Sequence, residues 1–516
     1  MKSNIRIMAF ILSIIILFSS LNFTFLAQSS NNLDLDPLVD LTVTVKILKI
    51  RSLEKLDYKT HEVEWIDFFT KPDFYVKVFI NDREFKSPVW KNTRYVNDPQ
   101  WSATLNVPDE EEFVNIKIQL WDSNRGLDKL CDISRDYYDG YKETFDVEIF
   151  YSLKSGHWYG DDFIAPDPTE SDISGYGRLN GCDDNSIYER GKDCELWFDV
   201  YQNDYDGDTI PYWTEVNVFG TDPEYDNTGE DIDGDGVPIE WEYKWGHYFW
   251  WDWGEEQAKD DWIYDPFTWE DHANFDLDVD GLDNIEEYLT SQWGSDPFRK
   301  DLFVQLDQME ASPDGQESIL PEGAKELLRT AYDRQNIVYH LDDGCMGGSN
   351  MIPFDNLTDR DELMSIYWNY FLNGDINNWR RGVFHYGLVA YDAGYAGYVF
   401  WGGVGPYLDS FQISSSRVER KVVPKWQWRR DLAYASVYMH ETGHTLGIFS
   451  GNTPGCDDSE SMLPWQKNFW KWGPYESCMN YRYTYRLVDY SDGSNGKNDF
   501  DDWDFIDLTF FQRQAF

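Results

Sequence analysis

The residues best suited to chemistry in this chain of 516 are His440, Glu441 and His444, which stand in the order His-Glu-x-x-His. Two histidines four apart share one face of a helix. Both imidazoles can then take one zinc ion, while the glutamate one residue on reaches a water held there and acts as its general base. That chemistry is hydrolysis. The element that must present these groups is "WRRDLAYASVYMHETGHTLG", which reads as a helix ended near Gly447 as a C-terminal glycine would end it.

A second chemistry is written three times over: "DYDGDTIPYWTE", "DIDGDGVPIEWE" and "DLDVDGLDNIEE". Each places carboxylates at loop positions 1, 3 and 5 and a glutamate at 12. The sets are Asp204, Asp206, Asp208 and Glu215; Asp231, Asp233, Asp235 and Glu242; and Asp276, Asp278, Asp280 and Glu287. Alternate side chains at this spacing wrap a hard cation such as calcium, and the glutamate closes the shell from the next helical turn. Gly236 and Gly281 fill position 6 of two loops, where the backbone turns sharply, and Thr209 fills it in the first. The aromatic run between the loops, "KWGHYFWWDWGEEQAKDDWIYDPFTWED", is expected to be the small core beneath them.

Residues 38–202 alternate apolar and polar residues in runs such as "VDLTVTVKILKI", "PDFYVKVFIN" and "VNIKIQLWDSN", separated by Asp, Asn, Pro and Gly clusters. An antiparallel sandwich is expected. Asp67 and Asp73 flank one strand start and Asp122 ends another, so two loops could form an oxygen-lined calcium cup. From residue 301 the pattern changes to strand and helix, with "KDLFVQLDQM", "NIVYHLDD" and "RGVFHYGLVAYD" as strands and "PEGAKELLRTAYDRQ" as a helix.

With 94 Asp plus Glu against 44 Lys plus Arg, the formal net charge is -50. Nucleic acid is therefore excluded as a partner, and bound cations would relieve the self-repulsion. At the N-terminus, Lys2 and Arg6 precede an apolar run, the layout of a secretory signal over residues 1–27. Without a clear cleavage site, retention as a membrane anchor stays open. In a secreted, extracellular chain the cysteines should be oxidised. Cys182 with Cys194 and Cys456 with Cys478 are the expected local pairs, and Cys131 and Cys345 are left unassigned.

Three resemblances follow from these residues. The strand "PDFYVKV", the turn "NDPQW" and the strand end "IQLWDSN" resemble a C2 domain, which implies calcium at Asp67, Asp73 and Asp122 and calcium-dependent contact with membrane lipid. The acidic loops of residues 203–300, with "GTDP" and "GSDP" nearby, resemble thrombospondin type 3 and dockerin-like repeats. Residues 301–516 resemble the metzincin clan of zinc peptidases, through His-Glu-x-x-His-x-x-Gly and the later "ESCMNY".

The last resemblance implies an α/β (α+β) catalytic domain acting on a protein or peptide substrate. It carries zinc ligation to His440 and His444, the general base to Glu441, the turn to Gly447 and the methionine floor to Met479. The departure is Ser450, where the clan has His or Asp. Asp457 is the expected replacement, with Asp458 and Glu460 as alternatives. The fold class expected is thus multidomain: an all-β C2-like sandwich, a calcium-loop module and a metzincin-like domain. The competing reading is a calcium-dependent adhesion protein whose last domain no longer cleaves.

Overall fold

The computed structural model describes residues 40–52, 71–108, 112–134, 145–160, 177–181, 193–252, 257–399 and 409–512. The N-terminal segment expected to be a signal or anchor, Asp67 and Cys182 lie outside these. Among the described residues no helix is long and apolar enough to cross a membrane.

The alternating runs form two antiparallel sheets. One orders Tyr95–Asn106, Thr42–Ser52, Cys194–Gln202 and Gly177–Asn180; the other orders Arg83–Lys86, Phe74–Ile80, Phe113–Asp122, Val147–Ser152 and Trp158–Gly160. Phe113–Asp122 is buried at every second residue, as a strand with one face on a core must be. Val45, Ile47, Val76, Ile116, Ile118 and Phe198 meet in that core.

The acidic loops follow, each running into a short helical segment: Tyr212–Thr214 with Glu215–Phe219, Ile239–Trp245, and Asn284–Thr290. Trp241 and, from the aromatic run, Trp245 and Tyr264 are buried beneath them, while Phe267 and Trp269 of the same run are exposed. The cluster they join also takes Trp197 and Leu48 from the sandwich and Val338 from the last unit, so one small core is built from all three parts of the chain.

The last unit is a sheet ordered Val338–Asp342, Asp301–Met309, Phe384–Ala390, Ser410–Ser414 and Gly397–Val399. The first four strands are parallel and Gly397–Val399 is antiparallel to its neighbour. The helices Glu322–Asp333 and Gln427–Thr445 share a core with this sheet, through Leu328, Tyr332, Tyr438 and Met439. Strands buried on both faces read as near-continuous apolar runs, and every residue of Phe384–Ala390 is buried.

Buried charge locks the sandwich to this unit. Arg51 and Arg178, both within the sandwich, meet Asp333 at the end of the Glu322–Asp333 helix, and Arg178 also binds Glu195 at 2.9 Å and Asn336 at 2.9 Å. The side chains of Arg51, Arg178, Glu195 and Asp333 are all at most 1% exposed.

Among the described residues the expected Cys456–Cys478 disulfide is not formed, and Cys182, the expected partner of Cys194, lies outside them. Cys194, Cys456 and Cys478 are free thiols. The amide of Cys194 donates to Asp132 across 2.8 Å, which brings its thiol to Cys131, with which it hydrogen-bonds. Cys456 turns its sulfur to the Asp457 carboxylate, 3.7 Å away.

Candidate metal centre and cation loops

The helix Gln427–Thr445 buries every residue from Leu432 onward. It is packed under the sheet, and its last two turns bring His440 and His444 side by side with ring centroids 4.9 Å apart. Each ring spends its Nδ1 on a backbone carbonyl: His440 on Cys478 at 2.8 Å, His444 on Ile448 at 2.6 Å. A neutral imidazole that donates through Nδ1 presents a bare lone pair at Nε2. Both Nε2 atoms face one carboxylate, Asp457, whose Oδ1 lies 3.2 Å from His440 and whose Oδ2 lies 3.5 Å from His444.

How the chain returns to that point is written in its backbone. Gly447 takes φ +94°, a conformation open to glycine, and ends the helix. Ser450 is exposed on the turn that follows, and the chain comes back as the short strand Pro454–Asp457. Asp457 itself has φ +57°, uncommon outside glycine. Its amide donates to the carbonyl of Met479 at 3.1 Å. Met479 is fully buried against the helix, and a Cβ added at Gly443 would stand 2.6 Å from its sulfur.

The donor set fits a zinc-class ion. Tetrahedral bonds of ~2.0–2.1 Å put neighbouring ligand atoms about 3.3 Å apart, and the two nitrogen–oxygen separations bracket that value. Burial works against a charged His440, but the Asp457 and Glu441 carboxylates outweigh it and push its pKa up to about 9. Burial and the charge on His440 hold His444 down at about 4.

Glu441, one residue on, is 5% exposed. Burial pushes its pKa up to about 8, with His440 pulling down and Asp457 pushing up. Its carboxylate lies against the edge strand at Gly397, where a Cβ would come within 2.3 Å of Oε1. Tyr481 stacks on His440 at 5.7 Å and hydrogen-bonds Asp457. Tyr483 instead donates to the Gly473 carbonyl, a structural role.

The three acidic loops share one wiring. The position-1 carboxylate accepts the position-6 amide: Asp204 from Thr209 at 2.7 Å, Asp231 from Gly236 at 3.0 Å and Asp276 from Gly281 at 3.1 Å. All three position-6 residues have positive φ, Thr209 included at +75°. What remains is the same in each: Oδ2 of Asp206, Asp233 and Asp278, and at least one oxygen of Glu215, Glu242 and Glu287, are buried with no hydrogen-bond partner. A buried carboxylate oxygen left without a donor is costly unless a cation meets it.

Burial followed by mutual repulsion raises these acids. Asp208 is pushed up to about 6, Glu215 and Asp280 to about 7 and Glu242 to about 9. A further residue ties down the position-5 carboxylate of each loop: the amides of Asn227, Glu270 and Asp301 donate to Asp208, Asp235 and Asp280 at 3.3, 3.3 and 2.6 Å. Sequence reasoning passes over these three. They stand 19, 35 and 21 residues beyond their partners, with no fixed period to mark them.

In the sandwich, Asp73 and Asp122 meet at one end. Asp122 accepts the Asp73 amide at 2.9 Å and the Asn124 side chain at 2.8 Å, and Asp73 accepts the Asn92 amide at 2.6 Å. Asp67, the third carboxylate expected there, lies outside the described residues.

Comparison with known proteins bears on this part of the chain. No curated protein matches it. Among solved structures, a C2 domain is 13% identical over 32% of this chain and 98% of its own, with TM-score 0.18. A C2 domain protein from Ramazzottius varieornatus is 12% identical over 33% of this chain and 92% of its own, with TM-score 0.19. Human GIVD cytosolic phospholipase A2 in complex with methyl gamma-linolenyl fluorophosphonate is 10% identical over 31% of this chain, TM-score 0.17, and only 17% of that chain is spanned. The family model for the C2 domain matches residues 41–133. The chain is therefore a multidomain protein whose residues 41–133 are a C2 domain, followed by units of mixed α and β content.

Proposed function

We propose that the chain is a secreted, calcium-stabilised zinc metalloendopeptidase with a metzincin-like catalytic unit. The observation that carries this reading is the convergence of His440, His444 and Asp457, with both Nδ1 atoms already spent on carbonyls and Glu441 buried at their side. Parallel strands closed by an antiparallel edge strand next to Glu441 support it, since an extended peptide can add to such an edge by main-chain hydrogen bonds.

His440, His444 and Asp457 would hold the zinc, which when bound supplies Lewis acidity to a water and to the substrate carbonyl. Glu441 would take the proton of the attacking water and pass it to the leaving amine, a role its place beside the ligand set and the edge strand allows. Tyr481 holds Asp457 in place. A cavity of about 240 Å³ opens beside Tyr481 and Tyr485 and gives room for a substrate side chain. Calcium in the acidic loops fixes the platform on which this unit is built. C2 domains commonly bind calcium and lipid membranes, and contact with a lipid surface through the Asp73 and Asp122 end is part of the proposal.

The test is zinc content by elemental analysis on protein kept in calcium, together with cleavage of an unfolded protein substrate. Stoichiometric zinc, with cleavage stopped by a zinc chelator and restored by zinc, is expected. A zinc-free, inert protein with filled calcium loops would hand the chain to the adhesion reading.

A further inference from the structure

The second acidic loop differs from its neighbours in what comes down onto it. Where the first and third loops receive Asn227 and Asp301, the second receives Glu270, and His272 follows two residues later. His272 is fully buried, with its ring boxed by Tyr264, Trp241 and Phe275 at 5.0, 5.8 and 6.1 Å. Its Nε2 points at the loop, 3.0 Å from Asp235 Oδ2 and 3.9 Å from Glu242 Oε1. One ligand atom each from Asp235, Glu242, Glu270 and His272 lies within 4.8 Å of the others.

Two observations separate this cluster from a mere group of acids. Both oxygens of Glu242, a residue at 0% exposure, are buried without a hydrogen-bond partner, as is Oε2 of Glu270. The imidazole has its own support: Nδ1 lies 2.8 Å from the side-chain amide of Asn284. The amide's oxygen and nitrogen exchange places by a flip. With the oxygen toward Nδ1, Nδ1–H donates to it and Nε2 keeps its lone pair for a metal. That is how ligating histidines are held.

The chemistry of the donors selects the ion. Calcium takes six to eight oxygens and gains little from an imidazole. An imidazole with three carboxylates suits a smaller, softer dication, for which nitrogen is a strong ligand. We propose that Asp235, Glu242, Glu270 and His272 bind a transition dication of the zinc class, so that the second loop is not a calcium site like the first and third. This narrows the metal assigned to one loop and stands whether or not the chain is a peptidase.

The experiment uses the full chain, equilibrated with zinc in excess calcium, desalted and analysed for both metals. Asp457→Ala removes the other zinc centre and leaves this one. The Asp457→Ala protein should keep one zinc per chain in the presence of calcium, and adding His272→Asn should remove it. A wild-type protein that loses its zinc with His272→Asn but not with Asp457→Ala would also uphold this site while sinking the peptidase reading.

Because His272 lies inside an aromatic box, the variant is paired with a measurement that leaves it intact. Cobalt bound to the Asp457→Ala protein should show the visible absorption of a nitrogen-ligated site and resist displacement by calcium. An Asp457→Ala protein that is zinc-free in calcium, a zinc count unmoved by His272→Asn in a folded protein, or cobalt that calcium displaces would each overturn the assignment.

Discussion

The amide of Asp457 donates to the carbonyl of Met479 across 3.1 Å, so the carboxylate facing both imidazoles and the methionine beneath the helix are tied by one hydrogen bond. The next residue back, Cys478, receives Nδ1 of His440 at 2.8 Å. Two of the three candidate ligands are therefore aligned by the same two-residue stretch.

Asp457→Ala should empty the His440–His444 centre and lower the zinc count by one per chain, since two imidazoles and water hold the ion weakly, while Ser450→Ala should leave the count unchanged because Ser450 is exposed on the turn. Zinc per chain measured on both variants decides this. A zinc count unchanged in the first, or lowered in the second, would put the third ligand elsewhere.

Glu441→Gln should keep zinc and lose cleavage by about 10²-fold or more, the range expected for a general base. Gly397→Ala should act on the same group from the other side, because its methyl would come within 2.3 Å of the Glu441 carboxylate. Lower kcat with zinc content intact is expected for both, read by steady-state kinetics beside metal analysis.

Calcium should invert the pH dependence of stability. In calcium-free protein, Glu215 and Asp280 titrate near 7 in the fold against ordinary values of 4.5 and 3.8. The folded state then binds more protons than the unfolded one between about pH 4 and 7, and stability falls as pH rises through that window. Chelated protein should have a higher Tm at pH 5 than at pH 8. With calcium bound the order should reverse, because protons compete for the same oxygens. A chelated protein whose Tm rises with pH would contradict this.

Asp333→Ala should leave Arg51 and Arg178 buried with their charges incompletely compensated. Removing one partner of a buried ion pair costs on the order of 3–5 kcal/mol. Here the loss falls on the junction of two units, so calorimetry should show the sandwich melting apart from the rest. One cooperative transition at the wild-type temperature would mean that the apolar cluster of Trp197 and Val338 carries the junction instead.

How much of this was legible beforehand follows from distance along the chain. His440, Glu441 and His444, and positions 1, 3, 5 and 12 of each loop, are set by helix and loop geometry within a few residues, so spacing alone exposes them. Asp457 could be approached only through a departure at Ser450, because what brings it back is the path of a loop. Asn227, Glu270, His272 and Asp301 reach their loops from 19 to 37 residues beyond the position-5 carboxylate, and no local rule marks them. The neighbour of Cys194 is equally hidden: Cys131, far back in the sequence, meets it across the sandwich through the pairing of Cys194 with Asp132.

The amide of Asp301 rests on Asp280 of the third loop at 2.6 Å, and Asp301 is also the first residue of the strand Asp301–Met309 at the heart of the last sheet. Glu287, Asp278 and Asp280 crowd the same spot, each raised by burial and by its neighbours' charge. A newly made chain in a calcium-poor compartment would have to start its last sheet on a knot of like charges. The same chain in a calcium-rich one would find that knot already drawn tight. Folding of the unit that holds His440 and His444 would thereby depend on the cation supply at the third loop.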